Sequence, residues 1–462
     1  MTNYYDGSGA AVLPSHTPSA DQQPRGTKAA RKSLIASTTG QLFEWYEWTA
    51  YAVFAPFIAA AMFDNSDPVS ALLATFAVFA VGFLMRPLGG IVFGRVADVK
   101  GRKFVLIVTM LMMASASLGI GLLPTYESIG IAASALLLLA RMTQGFAHGG
   151  ESATANSYVA EIAPPHRRGM WGSLVFVAIM GGTVTAYAIG GGITAVLSET
   201  AVGEWGWRIP FLLGAVFALF ILYLRRGMEE SQVFDDIVEI TDETEGTAVR
   251  RGRGFTPAQL TKAIALVVMM VSGITVAHYT WSSYASTFAI TQRGMDSNTA
   301  FRAITASQFL ALLTLPLWGL LSDRIGRRPV VFIFAIGTIA TTIPLKALID
   351  DRFWTLFVAS LVAMIFVAAA GSILSAMMSE AFPTRMRTAG IGFAYSLSVA
   401  VFGGSAPYLN AMLIERDLGW LVNGYIIGLC VCTIVATLIM KETRAANLHE
   451  VGHHDETPRS SR

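Results

Sequence analysis

The sequence predicts an all-α integral membrane protein with twelve transmembrane helices in two pseudo-symmetric six-helix bundles. Composition is the first reason: 53% of the 462 residues are hydrophobic and only 14% are charged, where soluble domains carry about 25%. Mean hydropathy is +0.54. The second reason is a series of long apolar segments, and the third is a charged motif that recurs at corresponding places in the two halves. Roughly 245 apolar residues at about 20 per bilayer-spanning helix suffice for a dozen spans, which excludes a single soluble core. The 43 glycines suit helices packed closely in lipid, where small residues let backbones approach and no hydrophobic force drives association.

Taken in order, the chain opens with a polar tail, 1–33, that lacks the apolar core of a cleavable signal peptide, so the first span is expected to direct insertion. Apolar segments follow at about 34–62, 70–93, 104–123, 130–160, 170–197 and 207–224, an N-terminal bundle over 34–226. A charged stretch, 227–259, divides the segments six and six and reads as a cytoplasmic linker. The C-terminal bundle, 260–441, holds segments at about 260–290, 299–321, 330–349, 354–381, 388–414 and 420–440, before a second polar tail, 442–462. Helix is the expected form, since backbone groups facing lipid must be satisfied within the segment and the runs are far longer than barrel strands. Of the 33 Lys and Arg, 25 fall on the side of both tails and the linker, 5 on the other side, and 3 within or at the edge of spans. Basic loops stay cytoplasmic, so both termini are expected in the cytoplasm and the chain in the cell's inner (plasma) membrane. Cys430 and Cys432, two apart on one apolar helix, suit neither a disulfide nor a zinc site.

Gly94-Arg-Val-Ala-Asp98-Val-Lys-Gly101-Arg102-Lys103 follows the second span, and Gly319-Leu-Leu-Ser-Asp323-Arg324-Ile-Gly326-Arg327-Arg328 follows the eighth, 225 residues later. Likewise Glu161-Ile-Ala-Pro164 with Arg167 and Arg168 closes the fourth span, and Glu380-Ala-Phe-Pro383 with Arg385 and Arg387 closes the tenth, 219 residues later. Two motifs at nearly one offset point to a duplicated transporter fold. Each loop sets an acid at the end of one helix and basic residues in the turn before the next, with glycine permitting the tight turn. Gly94, Asp98, Gly101 and Arg102, and Gly319, Asp323, Arg324, Gly326 and Arg327, are therefore expected to gate and brace the halves.

The G-x-x-x-D-[RK]-x-G-[RK]-[RK] pattern of these loops resembles the major facilitator superfamily, with the likeness running over about 34–443; the first copy departs from it at Val99. Glu44-Trp45-Tyr46-Glu47, Phe83-Leu84-Met85-Arg86-Pro87-Leu88-Gly89-Gly90, Arg141-Met-Thr-Gln144-Gly145, Gly149-Gly150-Glu151, Trp205-Gly206-Trp207-Arg208-Ile209-Pro210 and Tyr395 with Phe402-Gly403-Gly404 resemble the metabolite:proton symporters. Within that group the sequence is most similar to the 2-oxoglutarate (dicarboxylate) permeases. The resemblance implies a proton-coupled symporter importing a small organic acid, such as 2-oxoglutarate or another di- or tricarboxylate, by alternating access. Carriers for citrate, shikimate, proline and betaine share the group, so proline/betaine or shikimate uptake is the alternative. Drug export is disfavoured by three span arginines, which suit an anionic metabolite. An intramembrane enzyme would need a motif such as H-E-x-x-H or G-x-S-x-G in the right setting, and an ATP-driven pump a P-loop; H-E-x-x-H occurs only as His449-Glu450-Val451-Gly452-His453 in the polar C-terminal tail, outside any span, and the other two are absent. The expected partners are an organic anion, the proton and the lipid bilayer, with no cofactor, no metal, no nucleic acid and a monomeric state.

Ionisable residues within spans are the sharper signal, because each costs roughly 2.5–3.5 kcal/mol and so faces a partner or water. On the fourth span Arg141, Gln144, His148 and Glu151 share one helix face, and on the first span so do Gln41, Glu44, Trp48 and Tyr51, with Glu47 three residues beyond Glu44. The expected pairing is Arg141 with Glu44 or Glu47. A desolvated carboxylate beside an arginine can load and release a proton, which makes Glu44, Glu47, Arg141, Glu151 and His148 the proton-coupling candidates; a permanent ion pair, and for His148 a packing role, are the competing readings. Arg86, deep in the second span, needs an anion, either a substrate carboxylate gripped by its fork of donors or a fixed protein acid. The resemblance makes Arg208 a second carboxylate contact, while its W-G-W-R-I-P setting also fits an interfacial anchor. Gln144, Tyr279, Ser283 and Tyr395 complete the candidate substrate contacts.

Overall fold

The computed structural model describes residues 27–64, 66–100, 102–149, 159, 163–226, 256–382 and 387–444. Glu151, Gly101, most of the linker and both ends of the chain lie outside the described residues, as do the side chains of Gly94, Asp98 and Arg102.

In the N-terminal half, α1 (Thr27–Val53) and α2 (Ala55–Met62) make the first span, bent at Phe54 just before Pro56. Proline cannot continue a straight helix because it lacks the N–H and crowds the preceding turn. α3 (Pro68–Lys100), α4 (Arg102–Leu122), α6 (Ile131–His148), α7 (Arg168–Val196) and α9 (Ile209–Arg226) follow, with short α5 (Tyr126–Ile129) and α8 (Glu199–Glu204) between them. In the C-terminal half, α10 (Pro257–Tyr279) starts in a Thr256/Gln259 capping box, passes through a π-helical turn at Thr280–Tyr284 and continues as α11 (Ala285–Arg293). Gly294, at φ +67°, ends it, and Asp296 caps α12 (Ser297–Ile325). Gly326, at φ +103°, turns the chain into α13 (Arg327–Leu348); a positive φ is cheap only for glycine. α14 (Phe353–Ala381), α15 (Arg387–Ser398), a second π-helical turn (Val399–Gly404), α16 (Ala406–Glu415) and α17 (Gly419–Ile439) complete the fold.

Nine helical stretches among the described residues are long and apolar enough to cross a membrane. The α1–α2 pair, α4 and α6 complete twelve, the first carrying Glu44 and Glu47 and the second holding an apolar stretch of only Ile107–Leu122. Their outer faces are apolar: Leu84, Leu139, Phe220, Leu317, Ile336 and Leu438 are all exposed. That inside-out pattern suits lipid.

The halves meet chiefly where α7 packs on α12 and α14. Within the N-terminal half, α3 and α6 interlock through glycines. A Cβ at Gly145 would collide with the Gly82 carbonyl, one at Gly89 with the Phe146 carbonyl, and one at Gly149 with the Arg86 carbonyl. This close approach sets Arg86 and Arg141 on adjoining faces. Gly145→Ala is expected to destabilise the purified protein by about 1–3 kcal/mol, the usual cost of overpacking, as read from its thermal unfolding.

Candidate functional site

The buried faces of α1, α3 and α6 bring the predicted charges together. Glu44 is the hub: Arg86 Nη2 donates to its Oε1 at 3.0 Å, His148 Nδ1 lies 2.8 Å from the same oxygen, and Gln41 Nε2 donates to Oε2 at 3.0 Å. Arg86 also stacks against Phe83 and Trp48, with its guanidinium carbon 4.5 and 4.7 Å from their ring centroids. A desolvated cation gains up to about 2 kcal/mol from each such face. Glu47 sits in a second cradle of neutral hydrogen-bond donors, its Oε2 accepting from Ser117 Oγ and, at 2.8 Å, from Gln144 Nε2, with the Arg141 charge acting on it from beyond ion-pair distance. Gly214 makes room for it, since a Cβ there would strike Glu47 Oε1.

This corrects the expected pairing. Arg141 makes no ion pair within 4 Å with Glu44 or Glu47 among the described residues; its Nη1 donates to Gln144 Oε1 at 2.6 Å. Its guanidinium lies between Trp48 and Tyr51, 4.1 and 4.3 Å from their centroids, and Nε and Nη2 find no partner. The fixed acid opposite Arg86 is Glu44. Arg208 is engaged elsewhere, donating to the carbonyls of Glu204 at 2.7 Å and Leu123 at 3.0 Å over the Trp207 ring, the geometry of an anchor. Sequence reasoning missed Ser117 and Gly214. Ser117 had a weak signal, as one of three hydroxyl residues, with Thr109 and Ser115, in a largely apolar helix; Gly214 had none.

The C-terminal half closes over this network with rings and hydroxyls. Tyr279 packs on Phe83 (5.4 Å between centroids) and Trp45 (5.8 Å), and its hydroxyl is buried without a partner. His278 meets Trp45 edge-on at 5.7 Å. Ser283 pairs with Ser282, and Tyr187 donates to the Ser282 carbonyl at 2.8 Å, tying α7 to the first π-helical turn. Tyr395 lines a narrow cleft of about 10 Å³ between the halves, with Phe176 and Ser375.

Residues of the second copy of the loop motif, Asp323 and Arg327, form a clasp with the start of α7 at one end of the interface. Asp323 accepts the backbone N–H of Gly169 and Met170, at 2.9 and 3.0 Å, capping the start of α7, where the helix dipole favours an anion. Arg327 holds Asp323 at 2.8 Å, and Arg168 donates to Glu380 at 3.0 Å across the halves. Gly319 is required by close approach, since a Cβ would come within 2.7 Å of the Gly169 carbonyl. Arg324 is exposed and takes no part. Glu442, assigned to the tail by sequence, instead accepts the N–H groups of Arg327 and Arg328. Burial acts to raise its carboxyl, but these and the Arg444 and Thr443 N–H groups outweigh burial and hold it below the usual range. A depressed carboxylate stabilises the fold at neutral pH, and that stability is lost only as pH falls through the depressed value. At the other end of the interface Asn298 donates to the Gly191 carbonyl at 2.9 Å. Asp323→Asn is expected to cost about 3–5 kcal/mol, the price of breaking a buried pair, and to speed thiol labelling of a cysteine placed at Ser375.

Comparison with known proteins agrees with this architecture. Residues 32–453 match the family described as "Sugar (and other) transporter". The chain is 33% identical to the alpha-ketoglutarate permease of Escherichia coli K12, covering 88% of this chain and 94% of that protein. It is 34% identical to the citrate-proton symporter of Klebsiella pneumoniae (90% and 93% covered), and 32% identical to the glycine betaine/proline/ectoine/pipecolic acid transporter OusA of Dickeya dadantii (89% and 83%). The solved structure of the proton:xylose symporter XylE superposes with a TM-score of 0.69 at 19% identity, over 92% of this chain and 98% of that one. A twelve-helix fold, a duplicated gate motif and a family match spanning both bundles lead to one assignment: the chain belongs to the sugar (and other) transporter family of the major facilitator superfamily.

Proposed function

We propose that the protein imports a small organic anion, a di- or tricarboxylate of the 2-oxoglutarate type, together with protons, by alternating access between the two bundles. The observation that carries this reading is the pair of buried guanidiniums, Arg86 and Arg141, of which, among the described residues, only Arg86 is ion-paired to a fixed carboxylate, Glu44. Arg141 keeps two donor nitrogens without partners, and a planar fork of donors matches a carboxylate. Relatives named for alpha-ketoglutarate and for citrate and proton support the same substrate class.

In the transport step, a substrate carboxylate would engage Arg141 and compete with Glu44 for Arg86. Tyr279 and Tyr395 of the opposite half feel both Arg86 and Glu44 and would close on the remainder of the substrate. Glu47, held by neutral groups, would take the proton. A second reading, uptake of proline or betaine, is supported by a relative of similar identity and by the rings of Trp45, Trp48 and Phe83, since aromatic faces also receive quaternary ammonium groups. Proteoliposome uptake of labelled 2-oxoglutarate, citrate, shikimate, proline and betaine, with and without an inward proton gradient, separates the two. Gradient-driven accumulation of an organic acid supports the first; accumulation of betaine or proline alone overturns it.

We further propose that both termini and the linker are cytoplasmic, from the distribution of basic residues. In a chain with Cys430 and Cys432 replaced by serine, a cysteine at Ser66 is expected to react with an impermeant thiol reagent in intact cells and one at Ser231 to stay protected. Labelling at Ser231 overturns the orientation.

A further inference from the structure

Gln144 of α6 stands between the cation offered to the substrate and the acid offered to the proton. It is 1% exposed, and both ends of its amide are engaged. Its Oε1 accepts from Arg141 Nη1 at 2.6 Å. Its Nε2 donates to Glu47 Oε2 and to Ser117 Oγ, each at 2.8 Å, and Ser117 in turn donates to Glu47 Oε2. Both amide hydrogens are thus taken, so Gln144 reaches a substrate only if the amide turns.

The direction of the amide is set by the chemistry on each side. A guanidinium only donates, so the amide oxygen must face Arg141 and the nitrogen must face Glu47. That arrangement is satisfied while Glu47 offers acceptors. A proton on Oε2 would meet the Gln144 N–H, donor against donor. If Ser117 accepted it instead, the serine hydrogen would need an acceptor of its own, and the atom bonded beside it is again the Gln144 nitrogen. A proton on Oε1 finds none, because that oxygen is buried without a partner against Gly214. Turning the amide through half a circle resolves the first two cases, since its oxygen then faces Glu47 and Ser117. The same turn aims the nitrogen at Arg141, again donor against donor, unless an acceptor stands between them. A carboxylate on the free Nε and Nη2 of Arg141 supplies that acceptor.

On the organic-anion symport reading, we propose that Gln144 is the positioning residue that couples substrate to proton, its amide pointing one way in the empty, unprotonated carrier and the other way in the loaded, protonated one. The bond that forms is the O–H between the incoming proton and Glu47, and it breaks when the proton leaves. Of the four combinations of substrate and proton, the protonated but empty carrier is the one left with buried donors unmatched, which a low-dielectric interior penalises. Substrate binding therefore favours protonation, and protonation favours substrate by the same factor. Among the described residues, the charged and titratable groups that act on or feel Glu47 are Arg141 of α6 and Tyr46 of α1; α4 and α9 meet it with Ser117 and Gly214.

The test uses the purified full-length protein with 2-oxoglutarate and citrate as probes. Calorimetry in buffers of different ionisation enthalpy counts the protons taken up per substrate bound, and proteoliposomes report exchange and accumulation. In the wild type, affinity for the accumulated acid is expected to tighten about tenfold on acidification, a size typical of coupled sites, with net proton uptake on binding. Gln144→Met, of similar length but without either bond, should lose most of the tightening and of the proton uptake, while exchange persists at a lower rate. Gln144→Asn, one methylene shorter and unable to span Arg141 and Glu47, should do the same, and it keeps the test open should Gln144→Met fail to fold. Tightening and proton uptake retained in whichever variant folds overturn the proposal and assign coupling to the Arg141 charge acting on Glu47 directly. Exchange and accumulation lowered in equal proportion with the pH dependence intact, the mark of a packing role, overturn it as well. A wild type that accumulates neither acid overturns the symport reading, and this proposal with it, before any Gln144 variant is measured.

Discussion

Glu47→Gln is expected to abolish accumulation against a gradient while leaving substrate exchange measurable in proteoliposomes. Glutamine keeps the shape of the carboxyl and can still bond Ser117 and Gln144, the two groups that hold Glu47 Oε2. What it removes is the capacity to take up and release a proton. Exchange cycles only the loaded carrier and need not move that proton, whereas net uptake must, so a coupling acid separates the two assays. Glu47 is favoured over Glu44 because no cation lies within ion-pair distance of it among the described residues, and its Oε1 is without a partner; a proton placed there breaks no ion pair. Accumulation should fall to the equilibrium level, and its pH dependence should vanish. Full accumulation with normal pH dependence in Glu47→Gln would move the proton site to Glu44 or to Glu151.

Arg86→Ala is expected to eliminate transport of the organic acid. It leaves Glu44 as a buried carboxylate with His148 and Gln41, and losing one partner of a buried, hydrogen-bonded charge pair costs about 2–5 kcal/mol. Arg86→Lys keeps the charge but loses the fork and most of the stacking on Phe83 and Trp48. Substrate affinity should then fall sharply, by more than tenfold, in variants that elute as folded protein. Unchanged affinity in Arg86→Lys would make the Arg86–Glu44 contact purely structural. Betaine or proline transport surviving in Arg86→Ala would favour the osmolyte reading.

Periodicity made much of this readable in advance. Most of the twelve apolar segments match helices to within a few residues, because lipid allows little else for an apolar run of that length; the first begins and the second ends seven residues away, at Thr27 and Lys100, and the end of the fourth lies outside the described residues. The polar faces of α1 and α6 were equally plain, since residues three and four apart must share a side. Partner choice was not plain. Whether Glu44 meets Arg86 or Arg141 depends on how α3 is rotated and how near it comes to α1 and α6, and that depends on Gly82, Gly89, Gly145 and Gly149 fitting together. Glycines advertise close packing without saying against what. The π-helical turns at Thr280–Tyr284 and Val399–Gly404 were invisible for a similar reason: one extra residue in a turn alters hydrogen-bond register and leaves hydropathy unchanged.

Those two wide turns make the halves mechanically unequal. Both lie in the C-terminal bundle, one beside Ser282 and the other ending at Gly404, where a Cβ would come within 2.7 Å of Phe83. A wide turn can pass along a helix like a ruck moved along a carpet. Each residue it passes swings about 100° around the axis while both ends of the helix stay where they are. The arginines of the N-terminal bundle, Arg86 and Arg141, ride on helices α3 and α6 locked together through glycines, so a carrier of this build can hold its cations rigid and re-aim the tyrosines and serines opposite them.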